Sequence, residues 1–366
     1  MSTLTKASSQ WASRPADERF VSLPDMLEHF NHLRDNSRAV VVPSRKIQAE
    51  PTSDNKGLVI TGPNGHAYGL THWAFGQVSA LAEAPAGYLR TLPAPIAADC
   101  VNYGLRFKRD VEDVGVLLYK NGGDPLVRAA TGPNYGRIWN ADIVGKLIER
   151  FGDGVTGAFK VPGEFGKRVD VTKANTTLYA GDRDMFVFLA DEEHRIEIPN
   201  RRDGQSGTLS RGFFVWNSEV GSATFGVATF LFDYVCCNRI VWGAEGYDEI
   251  TIRHTVSAPV KYIEQIAPAL EAYAQSSTAS VTKAIAAAQA ARISHDSDEV
   301  DTFLRKRFSR QVSKVIQDTH KLEEGRPIET LWDAVTGITA YARTIQNQDS
   351  RVDVEREAGS IMKLAA

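Results

Sequence analysis

The chain has 366 residues, 43% hydrophobic and 24% charged, with a formal net charge of −3. This fits a soluble globular protein of one large or two ordinary domains, and it excludes nucleic-acid binding by bulk charge, which needs a basic protein. The three cysteines, two of them adjacent at Cys236 and Cys237, form neither a disulfide framework nor a zinc motif and suit a reducing cytoplasm. The opening MSTLTKASSQW lacks an apolar signal segment, and the longest apolar run is cut by Asp233, so no membrane partner is expected.

Residues 1–56 read as a polar N-terminal segment with one short helix. Ser22 caps that helix, Pro24 lies in its first turn, and Met26, Leu27, Phe30 and Leu33 share a face. His29 and His32 sit three apart on it with no third ligand nearby and read as solvated histidines. Pro43 to Lys56 reads as a loop. A core domain over 57–256 then opens with a strand at Leu58–Thr61 and a helix from Thr71 that carries Ala74, Phe75, Val78 and Leu81 inward. A longer helix from Pro95 places Cys100 on an apolar face. Val114–Tyr119 and Leu126–Ala130 flank the turn Asn121-Gly122-Gly123-Asp124, a hairpin signal.

Thr-Gly-Pro-Asn occurs at 61–64 and again at 131–134, each time after a strand and before a helix, which leaves a duplicated strand–turn–helix unit open. Gly152-Asp153-Gly154-Val155-Thr156-Gly157 spells G-x-G-x-x-G, but a helix precedes it and a strand follows. That is the reverse of the dinucleotide-binding order, so the stretch is a helix-ending loop.

The most apolar part of the chain runs from Arg211 to Gly243. β-Branched and aromatic residues make it strands at Phe213–Glu219, Thr224–Cys237 and Ile240–Trp242, with a turn at Gly221-Ser222. The middle strand is apolar on both faces, as in a strand covered on both sides of a sheet; a helix from Ser222 is the competing reading. His254, in the alternating stretch Tyr247–Val256, reads as a core or interface histidine. After Ser257 the composition turns to Ala, Gln, Lys and Glu at helical spacing, which predicts a helical region over 257–366. One of its helices starts at Ser294 or Asp296 and runs past Val315.

Two kinds of residue bear on chemistry. Asp182 and Asp184 with Glu219 are the set a metal-dependent nuclease would need, Mg²⁺ being its cofactor. The bland alternatives are a turn for the first two and, for Glu219 taken with Asp233, a partly buried pair bonded to Arg239 or Arg211; Asp191-Glu192-Glu193-His194 reads as a solvated acidic loop. Among basic residues, Arg201, Arg202 and Arg211 bracket a Gly- and Ser-rich loop suited to phosphate contact. Lys306, Arg310 and Lys314 lie one turn apart on the helix after Ser294. That stripe is equally explained by the helix dipole, because Asp296, Asp298, Glu299 and Asp301 come first and the bases later. Tyr103, Tyr119, Tyr135 and Trp139 are candidates for stacking on bases.

With NSEVG at 217–221 and YVCCN at 234–238, the chain resembles the phage/plasmid-like protein family catalogued as domain of unknown function 932. Leu70-Thr71, Ala74, Val78 and Leu81, then Tyr88-Leu89 and Leu92-Pro93, are similar to its upstream segment. So are Arg128-Ala129, Tyr135-Gly136 and Asn140-Ala141-Asp142, and Leu331–Thr336 resembles its closing helix, so the likeness covers about 57–345. The motif residues are Asn217, Ser218, Glu219, Gly221, Cys237 and Asn238. Where the family pattern usually places Gly after that Asn, this chain has Arg239, which points to a side-chain role for Arg239 in place of a tight turn. The resemblance implies no biochemical activity, only a setting in phages, prophages and plasmids, where accessory proteins serve replication or recombination.

The expectation is therefore an α+β protein, mostly antiparallel sheet with packed helices, followed by a C-terminal helical region. It is expected to be cytoplasmic, homo-oligomeric and without a cofactor. It would bind single-stranded DNA through Arg201, Arg202, Arg211, Arg239, Lys306, Arg310 and Lys314, and anneal strands. The alternatives are the nuclease, or an oligomeric assembly or host-interaction protein built through its helices.

Overall fold

The structure, a computed structural model, describes residues 18–365 except 64, 108–112, 121, 162–169, 175, 200, 202–203, 234–237, 241–248, 276 and 346–347; at 232–233, 238–240, 249, 267, 274 and 348–353 it describes the backbone alone. The chain begins with β1 (Arg19–Phe20) and α1 (Leu23–Asp35). Ser22 caps α1 as expected, its hydroxyl accepting from the Asp25 amide, with Pro24 in the first turn and Leu23, Met26 and Phe30 buried. Next come β2 (Ser37–Pro43), β3 (Gln48–Pro51), β4 (Leu58–Thr61), β5 (Ala67–Leu70), α2 (His72–Leu81), α3 (Ala94–Phe107), β6 (Asp113–Tyr119), β7 (Leu126–Thr131) and α4 (Asn140–Phe151).

Among the described residues, β2 to β7 form a six-stranded sheet in the order β2-β6-β7-β5-β4-β3, antiparallel except for β5 beside β7. One outer strand, β3, corrects the sequence reading, which had a loop at Pro43–Lys56; the other, β2, lies just before that loop. As edge strands, β2 and β3 are largely exposed and carry proline, so they lack the apolar alternation that marks interior strands. Because they pair with β6 and β4, residues 37–51 are built into this sheet, while β1 joins the second one. The repeat is corrected too: Thr61 leads into the β4–β5 hairpin, whereas the loop after β7 leads into α4.

The second sheet holds nine described strands, all antiparallel: β1 together with β8 (Phe159–Lys160), β9 (Leu178–Ala180), β10 (Met185–Asp191), β11 (Ile196–Ile198), β12 (Gly207–Asn217), β13 (Phe225–Asp233), β14 (Asn238–Ile240) and β15 (Glu249–Ile252). The doubly covered strand is β13, and it is a strand as read. Phe225 and Val227 join one core with α1 and α4, while Ala228 and Phe230 join an aromatic layer of Phe186, Phe188, Phe214 and Trp216 on the opposite face. The loop expected around Arg211 is shorter than read: β12 already starts at Gly207 and pairs there with β11.

The helical region follows with α5 (Ala267–Gln275), α6 (Ala279–Ala290), α7 (Ser297–Leu304), α8 (Arg310–Glu324), α9 (Leu331–Thr344) and α10 (Gln348–Met362). It shares its core with the sheet: Val281, Ile285, Leu304, Ile316, Val335 and Ile361 pack with Ile196, Ile198, Leu209 and Leu231. The helix expected from Ser294 past Val315 is two helices. Ser309 turns extended and its hydroxyl accepts from the Val312 amide, capping α8 afresh. No helix among the described residues is long and apolar enough to cross a membrane.

Candidate functional site

The turn between β12 and β13, Asn217-Ser218-Glu219-Val220-Gly221, joins the two sheets. It projects from the nine-stranded sheet against β7, α2 and the start of α4, and each of three successive carbonyls receives a donor from that side. Tyr135 Oη donates to Ser218 O (2.7 Å), Arg137 Nη1 to Glu219 O, and both Trp73 Nε1 (3.0 Å) and Gln77 Nε2 (2.8 Å) to Val220 O. Gln77 also accepts from the Ala130 amide of β7 (2.9 Å), so one amide side chain spans both sheets. The turn closes on Gly221 at φ +83°, where a Cβ would stand 3.2 Å from Thr131 Cγ2. Few side chains tolerate that backbone.

Glu219 is 1% exposed. Its Oε2 takes Arg128 Nη2 at 2.9 Å, and its Oε1 takes the Asn140 amide at 2.9 Å. Asn140 is the first residue of α4, so the carboxylate meets a guanidinium and the positive end of a helix at once. Asn217 completes the joint, its Nδ2 donating to Ile138 O (2.8 Å) and Asn140 Oδ1 (2.7 Å). The partner of Glu219 is thus Arg128, where the sequence pointed to Arg211 or Arg239. The missed signal is in β7 itself, where Arg128 is a lone charge inside Leu-Val-Arg-Ala-Ala-Thr.

Ser218 Oγ donates to Arg183 O (2.6 Å), so the turn bearing Asp182 and Asp184 does lie beside the Glu219 turn. The carboxylates do not converge, however. Both Glu219 oxygens face Arg128 and Asn140, Asp182 is exposed, and Asp184 is buried. Among the described residues no three His, Cys, Asp or Glu side chains could share a metal ion. His254 lies at the same joint: its ring stacks on Tyr135 (4.7 Å between centroids), with Nδ1 3.0 Å from Gly136 O. Burial first, and Arg137 with it, holds the imidazole below the usual histidine range. This agrees with the interface reading.

The arginines of the expected phosphate loop are committed elsewhere. Arg201 is 1% exposed and bound to Glu324 of α8 through Nε (3.0 Å) and Nη2 (2.5 Å), over the Trp332 ring. Arg211 is buried, with Nε 3.2 Å from Asp191 Oδ2 and Nη1 3.2 Å from Tyr273 O. Asp191, read as part of a solvated loop, is itself fully buried, and it also accepts from the Glu193 and His194 amides. These two arginines are therefore corrected from phosphate contacts to internal ion pairs: each sits where the strands meet the helical region and faces an acid there. Arg202 and Cys237 lie outside the described residues. Asn238 and Arg239 are described in backbone only, as strand residues opposite Asp233 and Phe232.

Lys306, Arg310 and Lys314 have a different environment. All three are exposed, and none takes an acidic partner among the described residues. Lys306 lies in the turn before α8, Arg310 is its first residue and Lys314 stands one turn further on, so the three do not form one helical stripe. Their neighbours are spoken for: Arg305 faces Asp301 (3.6 Å) and Arg307 faces Glu357 (3.4 Å). Of the candidate stacking residues, Tyr135 and Trp139 both pack against the Arg137 guanidinium, at 5.3 and 5.7 Å, and Tyr103 lies exposed beside Phe107.

No curated protein and no solved structure matches this chain. A protein family does: its sequence profile matches residues 164–361, which hold the Glu219 turn, the two arginine pairs and α6 to α9. The chain belongs to the family described as "Domain of unknown function (DUF932)".

Proposed function

We propose that this chain is a non-catalytic binding protein for single-stranded DNA, a cytoplasmic accessory of phage or plasmid replication or recombination, whose phosphate contacts are Lys306, Arg310 and Lys314. One observation carries the reading: these three cations, in the turn before α8 and its first two turns, are exposed and without an acidic partner among the described residues. The first turn of that helix holds no acid, and a cation at the positive end of a helix is disfavoured by roughly 0.3–1 kcal/mol. The dipole explanation thus still serves Lys306, just past the end of α7, but not Arg310 in the first turn of α8. An external anion would offset that cost at Arg310 and engage its two exposed neighbours, and a phosphate chain supplies one at each step. A homo-oligomer would set several such segments along one strand, which strand annealing requires.

The test is fluorescence anisotropy with a labelled oligothymidylate at low ionic strength. The full-length protein is expected to bind, and the combined Lys306→Gln, Arg310→Gln and Lys314→Gln variant to bind at least tenfold more weakly. Absence of binding by the unsubstituted protein contradicts the proposal.

A further inference from the structure

Between the end of α6 and the turn into α9 lies a cleft of about 370 Å³, with Gln289, Arg292, Arg326, Glu329, Trp332 and Asp333 in its wall. Its two sides are tied together by backbone: Ile293 N donates to Glu329 O (2.7 Å) and Leu331 N to Ala291 O (2.9 Å), so the opening is built into the fold. Trp332 is 1% exposed and its indole N–H finds no acceptor among the described residues. A buried donor left unpaired costs about 1–3 kcal/mol, and Trp332 is among the residues that line the cleft.

The charges of the wall say what else the occupant carries. Asp333 is fully used: Oδ2 accepts from the Glu329 and Thr330 amides and the Thr330 hydroxyl, and Oδ1 from Arg326 Nη2 at 2.8 Å. Arg292 and Glu329 are only loosely paired, at 3.7 Å, too long for a hydrogen bond, and Glu329 also stands 3.1 Å from His295. The wall therefore offers one guanidinium and one carboxylate with spare bonding capacity, besides the orphaned indole. Two arginines against two acids leave no net field to draw a simple anion.

We propose that this cleft binds a small zwitterion of the amino-acid class. Its carboxylate accepts from Trp332 Nε1–H and Arg292, and its ammonium group faces Glu329. Pro199 and Pro327, with the indole, provide an apolar wall for a side chain, and the volume falls within the range of about 300–1,000 Å³ usual for small-molecule sites.

The experiment is an NMR titration of the ¹⁵N-labelled indole groups of the full-length protein, with the Trp332 signal assigned through Trp332→Phe. The probes are L-alanine and its two charged halves, acetate and methylammonium. A saturable shift of the Trp332 signal with L-alanine is expected, at least tenfold tighter than with either half. Arg292→Gln, an exposed position, weakens L-alanine at least tenfold, and Glu329→Gln abolishes the preference over acetate. Should Trp332→Phe not fold, the signal that moves in the unsubstituted protein and responds to Arg292→Gln serves in its place. The proposal is overturned by no saturable shift with L-alanine, by equal affinity for acetate, or by indifference to Arg292→Gln.

Discussion

Glu219 and Arg128 are a buried ion pair separated by 91 residues of sequence. Removing one partner of such a pair leaves the other charge buried and uncompensated, at about 3–5 kcal/mol. Arg128→Met is therefore expected to lower unfolding stability by that amount, as urea denaturation would show, and Glu219→Gln to follow it in direction. A nuclease would respond differently, losing Mg²⁺-dependent cleavage with its stability intact. A second residue sets the acid limit. Burial pushes the His320 imidazole down to about 4, against the opposing pull of Asp333 and Glu324. The unfolded chain thus takes up the proton first as pH falls. Stability is complete above about pH 6.5 and is lost towards pH 4, by about 2 kcal/mol between pH 7 and pH 5. Urea midpoints at those two pH values test this, and His320→Asn should show the smaller drop.

At the scale of elements, the turn at Gly221 is the tightest constraint. Gly221→Ala places a side chain at positive φ against Thr131, which costs about 1–2 kcal/mol and loosens the joint between the sheets. A lower urea midpoint with unchanged circular dichroism is the expected result. Interior elements were legible because their residue types and spacing state the burial they need: β13 is apolar on both faces, and α1 announces itself by Ser22 and Pro24. The edges β2 and β3 were not, since a strand with one partner needs little apolar surface. Nor was the break at Ser309, where continuous apolar spacing conceals a cap. The site was legible by halves. That Glu219 needs a partner follows from its apolar neighbours, yet which arginine supplies it depends on how two sheets meet. Arg201 and Arg211 resembled free cations beside glycine and serine, because Glu324 stands 123 residues from Arg201.

For the whole molecule, the helical region is part of the body it follows. Leu209 and Leu231 pack under α6, α8 and α9, and Tyr273 covers Phe213. A fragment of residues 1–256 therefore exposes two cores, and light scattering should find it aggregated where the full chain is not. A net charge of −3 leaves any affinity for a phosphate chain to a local set of cations, and the basic residues fall into two classes: buried arginines that hold the fold, and the exposed cations proposed to hold the ligand. The most direct measurement of that division is the slope of log binding constant against log salt for oligothymidylate. Each phosphate contact on a single strand contributes roughly 0.7 to it. Losing Lys306, Arg310 and Lys314 together should shallow the slope by about 2, whereas Arg201→Gln should leave the slope alone and lower the unfolding midpoint. An unchanged slope in the triple variant, or a shallower one in Arg201→Gln, would contradict the account.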